Sequence, residues 1–458
     1  MPDRTTPPLA PIPRTTAPLL PQAVAGPVLV AWSGGLDSTA LLHLFAQDAD
    51  QRARGLRALH VHHGLHPDAD AWAAHCEALA EAWSVPLTVV RVAVPRDSGL
   101  GLEAAARQAR RQAFSEALRD GECLALAQHR DDQAETFLLR ALRASGPDGL
   151  ASMRPWRAFG AGWMWRPLLD TPRAALHAYA REHDLRWIED PSNADPGFDR
   201  NFLRLRVLPL LRERWPHAEA ALARAAQLSA ESSDILGERD AAILASVREE
   251  AGPGLSIAAL RLLSPARRAR LFRYWAASLD WPPLPAEGVA RIEADLLAPR
   301  DDAHDRLPGF AWHGVAIRRW RDALYAVGGD RDLPKDWSCD WDGGAPLSLP
   351  NGDTLRLAGA ARFPSPLRVH ARRGGERILL PERGPQHHSL KHVLQEMDIA
   401  PWHRTRMPLL STADGTLLAA GDRIRSAGFD LWMQTHDADL VWTLRRDADT
   451  ARTPGIGT

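Results

Sequence analysis

Through the first part of the chain, short continuous apolar runs alternate with longer segments whose apolar residues recur at helical spacing. The runs 28–31, 56–62, 87–94 and 123–127 read as buried strands, and 39–47, 70–84, 102–119 and 131–144 as helices. Repeated strand–helix units predict an α/β domain with a parallel sheet covered by helices on both faces. A helix at 177–184 and a short strand at 186–188 close this domain, which is expected to span 27–215. Beyond Pro216 the pattern changes. Residues 218–301 keep the helical period with little strand signal and 312–328 turn to β, so 216–330 is expected to be a mainly helical middle domain. Strands at 346–357, 368–370 and 440–444, a helix at 389–396 and a hairpin around Asp414-Gly415 follow. They predict a linker with strands at 331–361 and a small α+β domain at 362–448. The Pro- and Thr-rich residues 1–26 read as a disordered extension and 449–458 as a frayed tail.

Chemistry enters at the end of the first strand. Ser33-Gly34-Gly35-Leu36-Asp37-Ser38 lies between an apolar strand and an amphipathic helix. Two glycines let the backbone approach an anion and adopt angles closed to other residues. The amides of the first helical turn, with the hydroxyls of Ser33 and Ser38, would then face a phosphate. The Gly-Lys-Ser/Thr ending of a Walker A loop is missing. Ligands of such folds sit at the carboxyl ends of the strands. His62-His63 and His129–Asp132 would lie there beside the Ser33 loop.

Two further clusters carry charge suited to that site. In the stretch 127–136, Asp131 and Asp132 open a predicted helix, so one of them should be its N-cap. Asp132 and Glu135, three apart, would share a face near a triphosphate, where carboxylates suit Mg²⁺ or a proton from an attacking amine. Downstream, Arg200 and Arg204 at i,i+4 would form one guanidinium face, suited to a phosphate or an RNA backbone.

Composition narrows the classes. The 458 residues are 45% hydrophobic and 25% charged, as in an ordinary globular chain of two to four domains. The three cysteines, Cys76, Cys123 and Cys339, form no CxxC pair, which leaves no disulfide framework, Cys-rich zinc site or obvious iron–sulfur site. No apolar run reaches the roughly 18 residues of a membrane span, and residues 1–24 lack the apolar core of a secretory signal. A cytoplasmic protein is expected. Net charge is −1, yet Arg200 to Arg214 holds five arginines against one glutamate, a local +4. Arg368 to His392 is also +4, with six Arg or Lys against two Glu and four histidines besides. Local patches of that kind can bind a phosphate backbone on a neutral chain, although a solvated helix face is the commoner meaning of one cluster.

Four segments in order resemble the bacterial tRNA(Ile)-lysidine synthetases of the PP-loop ATP pyrophosphatase superfamily. They are SGGLDS, HVHHGLHPDAD, AQHRDDQAET with its downstream Arg143-Ala144-Ser145-Gly146, and EDPSNADPGFDRNFLRLRVLP. The helix Leu102-Glu103-Ala104-Ala105-Ala106-Arg107 is similar to the family's EAxAR segment. Arg373-Gly374-Gly375-Glu376-Arg377, Leu390-Lys391 and Pro401-Trp402 are similar to the small domain of its longer members. Gln128 stands where the family often has a histidine, and Arg110-Arg111 where it often has Arg-Tyr.

The resemblance implies ATP and Mg²⁺ as cofactors, with isoleucine tRNA bearing a CAU anticodon and free lysine as partners. It implies adenylation of the wobble cytosine at O2, then attack on C2 by the lysine ε-amine with release of AMP. Ser33, Gly34, Gly35, Leu36, Asp37 and Ser38 would bind ATP. Asp37, Asp132 and Arg204 would be catalytic, the two aspartates also holding Mg²⁺. Asp132, Glu135 and His129 are candidates for lysine or Mg²⁺, and Arg200, Arg204, Arg206, Arg373, Arg377, His387 and Lys391 for tRNA, with His388 beside them. Monomer and homodimer both stay open. So do three other readings: an amide-forming synthetase, a thiolation enzyme of the same superfamily, and a non-catalytic ATP-binding protein.

Overall fold

Val28–Ala31 (β1) lies at the centre of a six-stranded sheet because both its faces are apolar. Val28 and Val30 pack on one side with Leu41, Phe45 and Trp165, and Leu29 packs on the other with Leu59, Phe114 and Leu124. The computed structural model describes residues 26–95, 101–249, 253–298, 308–329, 332–381, 384 and 386–444. Apart from Gly26, the extension expected at 1–26 lies outside them, as does the tail at 449–458. The described chain forms two compact units, one ending at Leu236 and one beginning at Gly237.

In the first unit, β1 is followed by α1 (Leu36–Gln47), α2 (Ala49–Gly55), β2 (Leu56–His62), α3 (Ala69–Ala82), β3 (Leu87–Arg91), α4 (Leu102–Ala117) and β4 (Cys123–Ala125). Then come α5 (Arg130–Leu142), α6 (Pro147–Leu150), β5 (Trp156–Phe159), β6 (Gly162–Trp165) and α7 (Arg173–Glu182). The strand order is β3-β2-β1-β4-β6-β5, parallel except where β5 turns back on β6. β1 pairs with β2 in the register Val28↔Leu56 and with β4 in the register Val28↔Cys123. The chain winds outward from β1 to β3 and then crosses to β4 on the other side. That reversal opens a crevice at the carboxyl ends of β1 and β4, the place where such sheets bind ligands.

Two readings of the sequence are corrected here. Residues 186–188 form no strand; Ile188 makes one backbone hydrogen bond, its N–H donating to Gly34 O at 2.8 Å, and lies against the loop after β1. The sheet is extended instead by the β5–β6 hairpin, where Trp156 and Trp165 stack with ring centroids 4.9 Å apart. Its signal was the alternation Trp163-Met164-Trp165 after the Gly160-Ala161-Gly162 turn.

The unit continues through α8 (Asp199–Phe202), a π-helical turn at Leu203–Val207, α9 (Leu208–Arg214) and the long α10 (Ala218–Val247). Pro209, at the start of α9, has no N–H to return to the preceding turn, and there the helix widens to i→i+5, with Leu208 N–H bonding Leu203 O. The division between the units falls within α10, beyond the 215/216 boundary expected from composition. The first half of that helix belongs with the sheet domain: Arg154 donates to both carboxylate oxygens of Asp234 and to Ala230 O.

The second unit opens with β7 (Leu255–Ser256) and the helices α11 (Ile257–Arg261), α12 (Pro265–Ser278) and α13 (Ala286–Arg291). β8 (Gly309–Trp312), β9 (Val315–Trp320) and β10 (Ala323–Gly328) complete an antiparallel sheet in the order β7-β10-β9-β8, over a core containing Phe272, Trp275, Ile292 and Ile317. The rest is α+β: β11 (Ser338–Trp341), β12 (Leu347–Ser348), β13 (Thr354–Ala358), β14 (Leu367–His370), β15 (Arg377–Leu379), β16 (His387–Ser389), α14 (Leu390–Glu396) and α15 (Pro401–Arg404). β17 (Leu409–Ser411), β18 (Leu417–Ala420), β19 (Ile424–Arg425), α16 (Ala427–Thr435) and β20 (Asp439–Thr443) end it. β17 and β18 are the hairpin predicted around Asp414-Gly415. No helix among the described residues is long and apolar enough to cross a membrane.

Candidate active site

The loop after β1 is built to leave donors free. Gly34 takes φ +84° and Gly35 caps α1 with no side-chain hydrogen bond, so the first-turn amides of Leu36, Asp37 and Ser38 have no capping side chain. Ser38 Oγ donates to Gly35 O at 3.1 Å and lies 3.0 Å from Ser33 Oγ, which in turn accepts from Gly35 N–H at 3.3 Å. Behind them Thr39 Oγ1 donates to Gly34 O and accepts from the buried Trp32 indole at 3.0 Å. The two serines and the helix dipole therefore line a rigid turn open to an anion.

The crevice beside this loop is charged. His129 is the extended N-cap of α5, so the cap is neither Asp131 nor Asp132 as the sequence suggested. Its Nδ1 accepts from Asp132 N–H at 3.3 Å, while its own N–H donates to Asp132 Oδ2 at 3.1 Å, a capping box with Asp132 at its third position. That leaves Nε2 aimed between two carboxylates, 3.5 Å from Asp37 Oδ2 and 3.4 Å from Asp132 Oδ2. Burial disfavours the imidazolium, but the Asp37 hydrogen bond and the charges of Asp132, Asp37 and Asp131 outweigh it, holding the His129 pKa above its ordinary value. Burial would raise the Asp37 carboxyl, yet His129, Arg173 and Arg204 hold it below the usual range, so Asp37 is ionised at neutral pH.

Glu135 is completely buried, and its oxygens accept from Arg200 Nε at 2.9 Å and Arg204 Nε at 2.7 Å. Arg204 Nη2 also reaches Asp132 Oδ1 at 3.2 Å, and Arg200 Nη2 donates to Thr136 Oγ1. The arginine face expected at 200 and 204 is thus real, but it is turned inward onto α5. Of the candidates brought to one place, Asp37, His129, Asp132, Glu135, Arg200 and Arg204 form a continuous network; Arg206 is exposed on the other side of its helix.

Sequence reasoning missed Arg173, Arg212 and the part played by Asp131. Arg173, the first residue of α7, lies with Nε 3.7 Å from Asp37 Oδ1 and donates its backbone N–H to Asp131 Oδ2 at 3.0 Å. Arg212 Nη2 is 3.5 Å from Asp131 Oδ1. The Thr171-Pro172 pair before Arg173 was the available signal for that helix start. The two departures noted in the sequence are both occupied. Gln128 accepts from Arg166, and the Arg111 guanidinium lies 5.2 Å from the centroid of the Phe159 ring.

Asp37 Oδ1 is buried without a hydrogen-bond partner, an acceptor left over for a cation or a ligand donor. No group of three or more His, Cys, Asp or Glu among the described residues could hold a metal alone. That donor set fits Mg²⁺ bound through one or two carboxylates and completed by phosphates and water.

In the second unit Arg373 and Arg377 line a cleft with Arg368, His370, Ser411 and Thr412. Arg377 on β15 donates to His387 O on the adjacent β16, and Lys391 is the second residue of α14; Arg373, Arg377, His387 and Lys391 are all exposed. His388 is half-buried.

Three family models match the chain: a PP-loop domain over 11–211, a TilS substrate binding domain over 255–325 and a TilS substrate C-terminal domain over 367–442. The tRNA(Ile)-lysidine synthase of Xanthomonas axonopodis pv. citri is 57% identical over 95% of this chain and 98% of its own length. That of Xylella fastidiosa (strain Temecula1) is 52% identical over 91% and 95%, and that of Shigella flexneri 41% identical over 88% and 93%. With relatives of this identity matched over most of its length, the chain belongs to the tRNA(Ile)-lysidine synthase family.

Proposed function

We propose that the protein converts the wobble cytidine of an isoleucine tRNA with a CAU anticodon to lysidine, using ATP and free lysine. The observation that carries this reading is the meeting of Asp37, from the anion-binding loop, with His129, Asp132 and the Glu135-held arginines in one crevice. Cytosine O2 attacks the α-phosphorus of ATP and pyrophosphate leaves; the lysine amine then attacks C2 and AMP leaves. Both steps rest on positioning and on stabilising phosphate charge.

Ser33, Gly34, Gly35, Leu36 and Ser38 hold the pyrophosphate end through the first-turn amides of α1 and the serine hydroxyls, the two glycines letting the chain come close. Asp37 and Asp132 would hold Mg²⁺, which when bound neutralises phosphate oxygens. Arg204, kept charged and oriented by Glu135, faces the α-phosphate, and Arg200 shares the task. Glu135 acts through these arginines, because it is completely buried behind them, whereas Asp132 keeps part of its side chain exposed to the crevice. The lysine ammonium must lose a proton before it attacks, and Asp132 is the acceptor assigned here. His129 fixes Asp37 and Asp132 relative to each other. Arg206 contacts the RNA near the target base. Arg373, Arg377, His387, His388 and Lys391 grip the tRNA through phosphates. Catalysis falls to the domain expected at 27–215, while 216–330 and 362–448, joined by 331–361, add tRNA-binding surface, and the protein works in the cytoplasm.

The test is incorporation of labelled lysine into isoleucine tRNA with a CAU anticodon, with elongator methionine tRNA and Asp37→Ala beside it. Label in the isoleucine tRNA alone, absent in the variant, is expected. No label from folded, ATP-binding protein would overturn the reading and favour another superfamily chemistry.

A further inference from the structure

The segment after Phe198 has two faces, and only one is used by the network described above. On the inward face Asn201 Nδ2 donates to Ser192 O and Asp195 O, Leu203 and Leu208 are buried, and Arg200 and Arg204 reach Glu135. On the outward face stand Phe198, Phe202 and Leu205, 44, 47 and 42% exposed, followed by the exposed Arg206. Phe198, the N-cap of α8, and Phe202 are four apart on a formed turn, with Phe202 N–H bonding Phe198 O at 2.9 Å, so both side chains leave the same side of the segment. Leu205 and Arg206 follow within the π-helical turn, so the four exposed residues form a short stripe along the segment. Two phenyl rings and a leucine close together in water form an apolar patch that the segment's own packing does not cover, since its other face already anchors it.

We infer that this stripe is a stacking platform for the unpaired bases next to the target cytidine in the RNA loop. The inference rests on the function proposed above and adds a contact surface to it. Three features select single-stranded RNA as the occupant. The stripe shares its helical turns with Arg204, so a base on Phe202 lies within about one turn of the reacting centre. It sits in the 200–214 segment of net charge +4, which suits the phosphates of the same strand. Flat aromatic faces beside a guanidinium are what splayed-out loop bases require, and they are sequence-tolerant partners.

The test uses full-length protein and a stem-loop RNA with a CAU loop whose adenine is replaced by 2-aminopurine. Wild-type protein should quench the probe on binding. Phe202→Leu keeps the apolar bulk but loses the ring; it should bind on the order of tenfold more weakly and quench less. Phe202→Trp should restore both, and Phe198→Leu should behave like Phe202→Leu. ATP binding and the unfolding midpoint verify that each variant is folded. If wild-type protein binds and modifies the RNA while both leucine variants match it in affinity and quenching, the platform is wrong and the proposed function stands. If wild-type protein neither binds nor modifies it, the function fails and the platform with it.

Discussion

At Gly34 the positive φ coincides with a lack of space: a Cβ there would lie 2.4 Å from Ile188 Cδ1 and 3.0 Å from Cys76 Sγ. The Ile188 methyl is the end of a side chain that can turn away, whereas Cys76 is completely buried with Sγ 3.6 Å from His60 Nδ1, so the lasting cost lies in the backbone angle and in the packing on Cys76. Gly34→Ala should therefore lower stability by about 1–3 kcal/mol from backbone strain and distort the anion loop as well. Calorimetry should show a folded protein with a lower melting temperature and ATP affinity reduced by at least tenfold. Unchanged ATP affinity would mean the loop is not the phosphate site. The same layer explains the state of Cys76, whose thiol is pushed up to about 12 by burial with Glu77 beside it. It is a packing residue under the loop and not a nucleophile. Glu135 illustrates the opposite case, a charge tolerated in the interior because two guanidinium groups satisfy both its oxygens.

Three helices meet at Asp131, and their junction sets the geometry of the crevice. From the first turn of α5 this carboxylate takes the first backbone N–H of α7 and faces Arg212 of α9. Removing it leaves the start of α7 without that partner and frees Arg173, whose guanidinium stands beside Asp37. Asp131→Ala should cost about 1 kcal/mol, the usual worth of a helix-terminal carboxylate contact, seen as a small drop in the denaturant midpoint. It should also slow lysine incorporation more than that loss of stability explains. Elements of this kind mark the limit of what the sequence conveys. The strands β1, β2 and β4, with the helices after them, were legible because local periodicity specifies a buried strand or an amphipathic helix. The loop at Ser33 was legible because its glycines and hydroxyls act locally. The cap at His129 was not, since a histidine accepting through Nδ1 competes poorly with two aspartates on propensity alone. Nor was the inward turn of Arg200 and Arg204, which depends on α8 packing against α5 across many residues of chain. The β5–β6 hairpin escaped for a similar reason: its two short strands gain stability from stacking Trp156 on Trp165 at the sheet edge.

For the molecule as a whole, an almost neutral net charge conceals two basic regions, one in each compact unit. A neutral protein gains little from long-range attraction to RNA, so affinity must come from local phosphate contacts that release counterions. In the second unit Arg373 and Arg377 offer the clearest pair, exposed in one cleft and supported by rigid neighbours. The Arg373 and Gly374 amides donate to Glu376 at 2.5 and 2.6 Å, and β15 pairs with both β16 and β18. Neither arginine is near the network around Asp37 in sequence, and both lie in the other unit. Replacing Arg373 and Arg377 together with alanine should therefore weaken tRNA binding while leaving ATP affinity unaltered. If each contacts one phosphate, the slope of log K against log salt should become shallower by roughly 1.5 for the pair. The loss should be the same for any tRNA, because phosphate contacts position the ligand without reading its sequence. A salt titration of wild type and double variant, by filter binding from about 50 to 200 mM, decides between two outcomes. A shallower slope assigns the cleft to the RNA backbone. An unchanged slope with lower affinity would mean the arginines act by shaping the small domain, and the basic residues around Lys391 would then have to carry the electrostatic part of binding.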